Sequence, residues 1–365
     1  MAAEEVGPVS ITCFEFEGSF GQIGQQHGEA LRAGAEAMCE TRIELSLRRA
    51  RSINPATELD DILALAQRHL TFHQDYCPDT YEEFIGISEG AGIAPERLLI
   101  GNGYTDFVDV VTVGTAETCE CTHITAVGPA TADGLTRMAQ TWDMSFSAAD
   151  HVVCIRRRPS SAPATVGITT AGCLSLIGIN EAGIAIGNTN LQSTDARPGV
   201  IYLATINHAL AATTLDEAIE RVSSSPRASG HFYYLGGPDG RMAGIETSAT
   251  RQMVLTPDAS GLLAHTNHCL DDEMRRFEPA HCPGVNSVDR QGRARQLLDE
   301  GCGSFDTGAM QAVLSDHAGA NPICRHTQDS AAGATLAAAV ITPQAREITI
   351  CLGNPCTNGF HALAP

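Results

Sequence analysis

Two textures follow one another along this chain. In its first third, apolar residues recur every three or four positions, the spacing that lays one face of a helix against a core. A short alternating stretch at residues 11–17 predicts a strand, Gly18-Ser19 turns it, and a helical pattern runs from residue 20 to about 51. Further helices are predicted over residues 58–76 and 79–88. From Cys121 onward the apolar runs shorten to strand length and are broken by Gly, Asn, Asp and Pro, as in THITAVG, MAQTWDM, HVVCIRR, ATVGITT, CLSLIGIN, GIAIGNTNL, FYYLGG, RMAGIETS and QMVLTP. Helical spacing returns over 202–212, 215–222, 288–298 and 307–314, followed by two more strands, ATLAAAVITP and EITICLG. Helices first, then many strands with helical pairs between them, predict an α+β fold with a layered sheet core. No internal repeat or low-complexity tract interrupts it, and residues 159–163 and 279–284 read as surface loops.

Composition narrows what such a fold can do. The 365 residues are 43% hydrophobic and 18% charged, ample for a large core in one or two domains. A formal net charge of −20 argues against a nucleic-acid partner, which needs concentrated positive charge, and against an anionic membrane surface. All 23 bases are arginine. Without a lysine there is no Schiff-base chemistry, no Ser-Lys hydrolysis and no Walker A loop. The same bias also fits a GC-rich genome. Thirteen cysteines without regular spacing, in a chain this long, point to reduced thiols rather than a disulfide framework. The opening MAAEEVGPVSITCFEFEG lacks the basic and long apolar regions of a signal peptide, and no window approaches 18 consecutive apolar residues. The expected compartment is the cytoplasm.

Candidate chemistry concentrates at TAETCECTHITA, where Cys119 and Cys121 flank Glu120 and Thr122 follows. A metal site is one reading, with His265, His268 and Cys269 in HTNHCL and Cys324 and His326 in CRH as further ligand types. Zinc sites are usually built from local pairs such as Cys-x2-4-Cys or His-x3-5-His, and neither stretch supplies one. The expectation is therefore no metal, with core histidines and buried cysteines in its place. GISEGAGI has glycines but lacks the strand-turn-helix context of a phosphate loop. A nucleophile is the other reading. Cys121 stands where helical texture gives way to sheet texture, and a backbone cut there would leave it as a new N-terminus. Its own α-amine, titrating around 8, would then serve as the base for the thiol.

Nine stretches, in this order, resemble one known family: FEGSFGQIGQQHGEALR, GISEGAGI, the Cys121-Thr122 junction, ADGLTRMAQTWDM, LIGINEAGIAIGNTNL, GIETS, HTNHC, NSVDRQGRARQLL and SDHAGANPICRH. The chain is similar through nearly its whole length to the acyl-coenzyme A:6-aminopenicillanic acid acyltransferase (C45 peptidase) family of N-terminal nucleophile hydrolases. The resemblance implies a four-layer αββα sandwich, self-cleaved between Glu120 and Cys121 into fragments 1–120 and 121–365 that stay together as one domain, a heterodimer of its own two pieces; higher association is left open.

The same resemblance implies roles. Cys121 matches the nucleophile, Asp143 the acid that holds the freed amine and thiol in register, Asn267 the side-chain amide that donates to the oxyanion, and Arg325 the family's active-site arginine. Thr122, Thr141, Glu246 and Ser248 are expected at the substrate. Two residues depart from the family's pattern: Glu120 replaces the usual glycine, which bears on cleavage rate, and Thr141 replaces asparagine. Each assignment has a plainer counterpart: Cys121 as a buried cysteine, Cys119 as the nucleophile instead, Asn267 as a turn residue, and Trp142 as a core anchor. The function implied is hydrolysis of a small amide, such as an N-acyl or β-alanyl amine, through a thioester and with no cofactor. The alternatives are an acyltransferase using coenzyme A or an amide donor, and a binding protein that never cuts itself because Glu120 blocks the junction. Hydrolysis is preferred because so acidic a chain offers the phosphates of coenzyme A little steering.

Overall fold

Both faces of a strand must be covered when every residue along it is buried, and this holds for the two strands that follow the helical third of the chain. They are β2 (Glu120–Ala126) and β3 (Arg137–Met144), both buried throughout. The computed structural model describes residues 11–112, 120–280, 282, 284–327 and 333–365. Cys119 lies outside these described residues. Two sheets stack face to face. One has eight strands in the order β1-β4-β5-β6-β7-β8-β9-β10 and the other six in the order β11-β2-β3-β12-β13-β14.

The first sheet is built from β1 (Cys13–Gly18), β4 (Val152–Pro159), β5 (Thr165–Thr170), β6 (Ile177–Asn180), β7 (Ala185–Leu191), β8 (Gly230–Gly236), β9 (Met242–Thr247) and β10 (Gln252–Leu255). β1 pairs parallel to β4, so the segment before Cys121 and the segment after it share one sheet. The second adds β11 (Leu262–His265), β12 (Ala334–Thr342), β13 (Glu347–Leu352) and β14 (His361–Leu363) to β2 and β3. Helices α1 (Phe20–Ala30), α2 (Arg32–Ile53), α3 (Leu59–Tyr76), α4 (Pro78–Ala91), α5 (Pro95–Asn102), α6 (Tyr104–Thr112), α7 (Tyr202–Leu210) and α8 (Leu215–Ser223) form the layer on the first sheet, while α9 (Val285–Gly301) and α10 (Thr307–Leu314) cover the second. The result is the four-layer αββα sandwich, an α+β fold. No helix among the described residues is long and apolar enough to cross a membrane.

Alternation along β2 decides where the chemistry lies. Cys121 faces the inter-sheet core with Trp142 and Met144, whereas Ile124 and Ala126 join Leu298, Ala294 and Leu314 under α9 and α10. Thr122 lies on the latter face, where its hydroxyl meets Arg290 of α9.

Most elements fall close to their expected places, and the differences have local causes. The pattern predicted as one helix over residues 20–51 is two, because Leu31 leaves helical geometry at φ −117° and ψ 20° and its N–H bonds back to His27. Ser19 caps the first of them, in a capping box with Gln22. Helices α5 and α6 escape the periodicity reading: they are short and largely buried, so little polar face marks their period. β11 is four residues long and hidden inside the stretch that ends in HTNH.

α1 and α4 touch backbone to backbone through glycines. A Cβ on Gly24 would stand 2.0 Å from the Glu83 carbonyl oxygen, and one on Gly90 2.2 Å from that of Gln25. Gly24→Ala is expected to force these helices apart and lower the unfolding free energy by about 1–3 kcal/mol. Urea denaturation of the variant against the parent chain checks this, and an unchanged midpoint would show that the contact yields.

Candidate active site

Cys121 is the second residue of β2, directly opposite Trp142 of β3, while Glu120 pairs with Asp143 and Thr122 with Thr141. Its backbone nitrogen donates to Asn267 Oδ1 at 2.8 Å, and its carbonyl oxygen accepts from Arg290 Nη1. Arg290 also donates to Thr122 Oγ1 at 3.0 Å, to Asn267 Oδ1 at 2.8 Å and to Asn286 Oδ1 at 2.7 Å. Two donors converge on Asn267 Oδ1, which fixes the orientation of that carboxamide; its Nδ2 donates to the Asn190 carbonyl at 3.0 Å. Asn267 follows β11, whose antiparallel pairing with β2 brings it beside Cys121 across 146 residues of sequence. Thr141 Oγ1 accepts from the Thr122 nitrogen at 3.2 Å, so Thr141 and Thr122 brace the strand pair.

The electrostatics follow from burial. The Cys121 thiol is pushed up to about 12, chiefly by desolvation and secondly by the Asp143 carboxylate; bonds from the Asp143 N–H and the Gln140 side chain and the charge of Arg290 act the other way. Asp143 is pushed up to about 7 by desolvation, against the opposing pull of Arg290 and of hydroxyls on Thr335 and Thr141. Its Oδ1 accepts from Thr335 Oγ1 at 2.7 Å, and its buried Oδ2 has no hydrogen-bond partner within bonding distance among the described residues. Arg290 is wholly enclosed, and desolvation lowers its proton affinity while Asp143 and Cys121 raise it.

Cys121 lines a narrow cleft together with Thr105, Trp142, Met144, Leu176, Asn188, Asn190, Tyr202 and His231. The lining combines apolar and polar side chains. His231 bridges Asp106 Oδ1, 2.9 Å from Nε2, and Asn188 Nδ2, 3.1 Å from Nδ1, and its ring stacks on Tyr202. Three buried oxygens of the lining, Thr105 Oγ1, Asn188 Oδ1 and Asn190 Oδ1, have no hydrogen-bond partner among the described residues. Buried polar atoms are normally paired, so a cluster left open around a cleft fits a ligand bearing N–H or O–H groups.

A model of the acyl-coenzyme A:6-aminopenicillanic acid acyl-transferase family matches residues 130–357. The chain belongs to this family. Along 348 residues it is 26% identical to the 40 kDa form of acyl-coenzyme A:6-aminopenicillanic-acid acyltransferase of Emericella nidulans, an alignment covering 94% of this chain and 92% of that one. Among solved structures it is similar to penicillin V acylase from Agrobacterium tumefaciens (TM-score 0.48, 16% identity, 67% of this chain and 86% of the other). It is also similar to the C2A mutant of conjugated bile acid hydrolase from Clostridium perfringens (TM-score 0.45, 12% identity, 67% and 97%). As a member of the acyltransferase family, the chain is an enzyme that acts on carbon–nitrogen amide bonds.

The residues expected at this acyltransferase-type site divide into two groups. Cys121, Asp143, Asn267, Thr122 and Thr141 come together. Asn267, however, turns its oxygen rather than its amide hydrogens to Cys121 in the intact chain. Arg325 meets the site one residue away from Cys121: it forms a buried ion pair with Glu120, and the arginine that bonds Cys121 itself is Arg290. Glu246 and Ser248 are not in the cleft lining. Glu246 accepts from His265 Nε2 and from the Leu270 and Asp271 nitrogens, pinning the turn after β11, while Ser248 donates to Asp195.

Arg290 had a legible signal. The buried stripe of α9 is Ser287, Arg290, Ala294 and Leu298, so an arginine occupies a core position of a helical period. Asn188, Asn190 and His231 carried no such mark, since strands β7 and β8 that present them are buried throughout.

Because both members of the Glu120–Arg325 pair are buried, removing one leaves an uncompensated charge. In a chain kept whole by Cys121→Ala, Arg325→Ala is expected to cost about 3–5 kcal/mol of stability, most of it regained when Glu120→Gln is added. Urea unfolding of the four chains of this cycle checks the coupling; additive effects would dissolve the pair.

Proposed function

We propose that this acyltransferase-family enzyme cuts its own chain between Glu120 and Cys121 and then hydrolyses a small amide through a thioester on Cys121. The observation that carries this reading is the double grip on the backbone of Cys121, nitrogen to Asn267 and carbonyl to Arg290, with Cys121 lining the cleft. Such a grip fixes the atoms of one residue before and after a cut, which a merely buried cysteine would not need.

In the first step the Cys121 thiol attacks the Glu120 carbonyl carbon. The Glu120–Cys121 C–N bond breaks as the acyl group passes from nitrogen to sulfur, and the thiol proton ends on the freed amine. Water then opens the thioester, leaving a carboxylate on Glu120 and a free thiol on Cys121. Burial holds this thiol protonated near neutral pH, so a base must take its proton as it attacks; ionised Asp143, whose charge acts on the thiol, is that base, with water carrying the proton. The new α-ammonium group adds a positive charge next to the sulfur and draws the thiol down from about 12.

In turnover the thiol attacks the substrate carbonyl, the α-amine passes the proton to the leaving amine, and water releases the acid. The unpaired oxygens of Thr105, Asn188 and Asn190 receive the N–H groups of the amide, while Trp142, Met144 and Leu176 receive its apolar part. None of the nine lining residues is arginine, which favours a small amide over a phosphate-bearing coenzyme A thioester. The two fragments remain joined through β1 and β4 as a heterodimer.

Purified enzyme is expected to run as two chains under denaturing conditions, one ending at Glu120 and one beginning at Cys121, and Cys121→Ala as one. Intact mass decides it. A wild-type chain that stays whole on prolonged incubation removes the cut, and a cut with no amide turnover across N-acyl amines removes only the hydrolase half. If thioester donors are consumed only when an acceptor amine is present, the enzyme is a transferase.

The raised Asp143 carboxyl gives a pH signature. Only ionised Asp143 accepts the thiol proton, so the self-cleavage rate is expected to rise with pH through about 7. Asp143→Asn should remove that limb and slow cleavage by about 10²–10⁴, the contribution of a positioned base. The stability effect has the opposite sign: a carboxyl whose folded pKa lies above its unfolded value stabilises the fold at low pH and loses that contribution as pH rises through about 7. Rate profiles of both chains, followed by mass, would refute the assignment if the inflection survived in the variant.

A further inference from the structure

Away from the cleft, four side chains from three separate segments converge. The ligand atoms of His317, Cys324, His326 and Cys356 all lie within 4.8 Å of one another. Cys324 Sγ is 3.6 Å from Cys356 Sγ, which is 3.3 Å from His326 Nε2, and the His317 and His326 rings stack at 4.9 Å. Zinc holds thiolates at about 2.3 Å and imidazoles at about 2.0–2.1 Å, so the donors of a tetrahedral site stand about 3.4–3.8 Å apart. The two measured edges are already of that size. The set is two sulfurs and two imidazole nitrogens, the soft mixed composition of structural zinc, and two thiolates balance the dication.

We propose that His317, Cys324, His326 and Cys356 form a structural zinc site. It runs against the expectation of no metal, and local ligand pairs do not reveal it because its spacing is His-x6-Cys-x-His-x29-Cys, with the last ligand beyond β13.

The surroundings hold the ligands in place. The Cys324 nitrogen bonds the Asp316 carbonyl at 3.0 Å, closing the loop that sets His317 beside Cys324. Asn354 Nδ2 donates to Cys324 Sγ at 3.6 Å and to the Arg325 carbonyl at 2.7 Å, tying the segment of Cys356 to that of Cys324. Arg325, the partner of Glu120, lies between two of the ligands. The same loop reaches α9 through the Asp316–Arg293 ion pair and through Asn321, which accepts from Asn286, the residue that in turn receives Arg290 Nε. A metal here would clamp the loop that buttresses both arginines from outside the cleft.

The test is metal content. Full-length enzyme expressed with added zinc and purified without chelators is expected to hold one zinc per chain by elemental mass spectrometry. Cys356→Ser and His317→Ala should each lower this at least about tenfold, whereas Cys302→Ser, an exposed cysteine outside the cluster, should leave it unchanged. Cobalt(II) in place of zinc should give the visible bands of a tetrahedral thiolate site, lost in Cys356→Ser. Should a variant fail to fold, the wild type still decides through its metal content and its cobalt spectrum. Substoichiometric zinc in the wild type, an octahedral cobalt spectrum, or a mass two hydrogens light from a Cys324–Cys356 disulfide would each overturn the site. Because none of these readouts uses self-cleavage or turnover, the proposal stands or falls apart from the function assigned to Cys121.

Discussion

Everything at this site hangs on a buried guanidinium. Arg290 is fully enclosed, and its hydrogen bonds go to neutral oxygens, the Cys121 carbonyl, Thr122 Oγ1, Asn267 Oδ1 and Asn286 Oδ1, rather than to a carboxylate. Desolvating a full charge costs several kcal/mol unless its donors are satisfied, so the elements that supply those oxygens are constrained together. They are the start of β2, the turn after β11 and the first turns of α9. A shift in any one would strand a charged donor, and that penalty holds the Cys121 backbone in a single geometry.

The same burial shapes the chemistry. Desolvation pushes the Cys121 thiol and the Asp143 carboxyl upward together, so neither group is ionised in its ordinary range. Their closeness couples them: charge on Asp143 makes the thiolate harder to form, and charge on Arg290 makes both anions easier. A freed α-amine at Cys121 would enter this balance as a second cation, on the side of the thiolate. The cleft repeats the theme with neutral groups. Its lining includes Thr105, Asn188 and Asn190 oxygens without hydrogen-bond partners among the described residues, a cost tolerated where a ligand completes the bonding.

Support for the clamp comes from behind. Asn286 steadies Arg290 and is itself held by Asn321, in the loop that carries His317, Cys324 and His326. Thr335 accepts from the Arg325 nitrogen and donates to Asp143, so the strand after that loop links the partner of Glu120 to the acid opposite it. Second contacts of this kind set how exactly a reacting group is held, and they explain why so much of the site is presented by buried strands and helices.

Periodicity alone placed most of the helices and strands, because period 3.6 and period 2 are local properties that burial of one face imposes on any chain. The change of texture at Cys121 and the run of motifs around it singled out Cys121, Asp143 and Asn267, which the fold does bring together, since each stands next to a recognisable strand or turn. The arginines were another matter. Arg325 stood in a family-like stretch yet meets Glu120, and Arg290 grips Cys121 from 169 residues away; which of two buried arginines reaches a given strand depends on how α9 packs on the second sheet. Glu246 likewise reads as a pocket residue until its oxygens are seen bound to the turn after β11. The cleft wall and the His317–Cys324–His326–Cys356 cluster have no sequence signature, because their members come from segments far apart in the chain. The sequence by itself determined the layers and the family, which are written in local pattern; the tertiary structure alone decided which charges meet, because only packing brings side chains from separate segments within the few ångströms over which buried charges act.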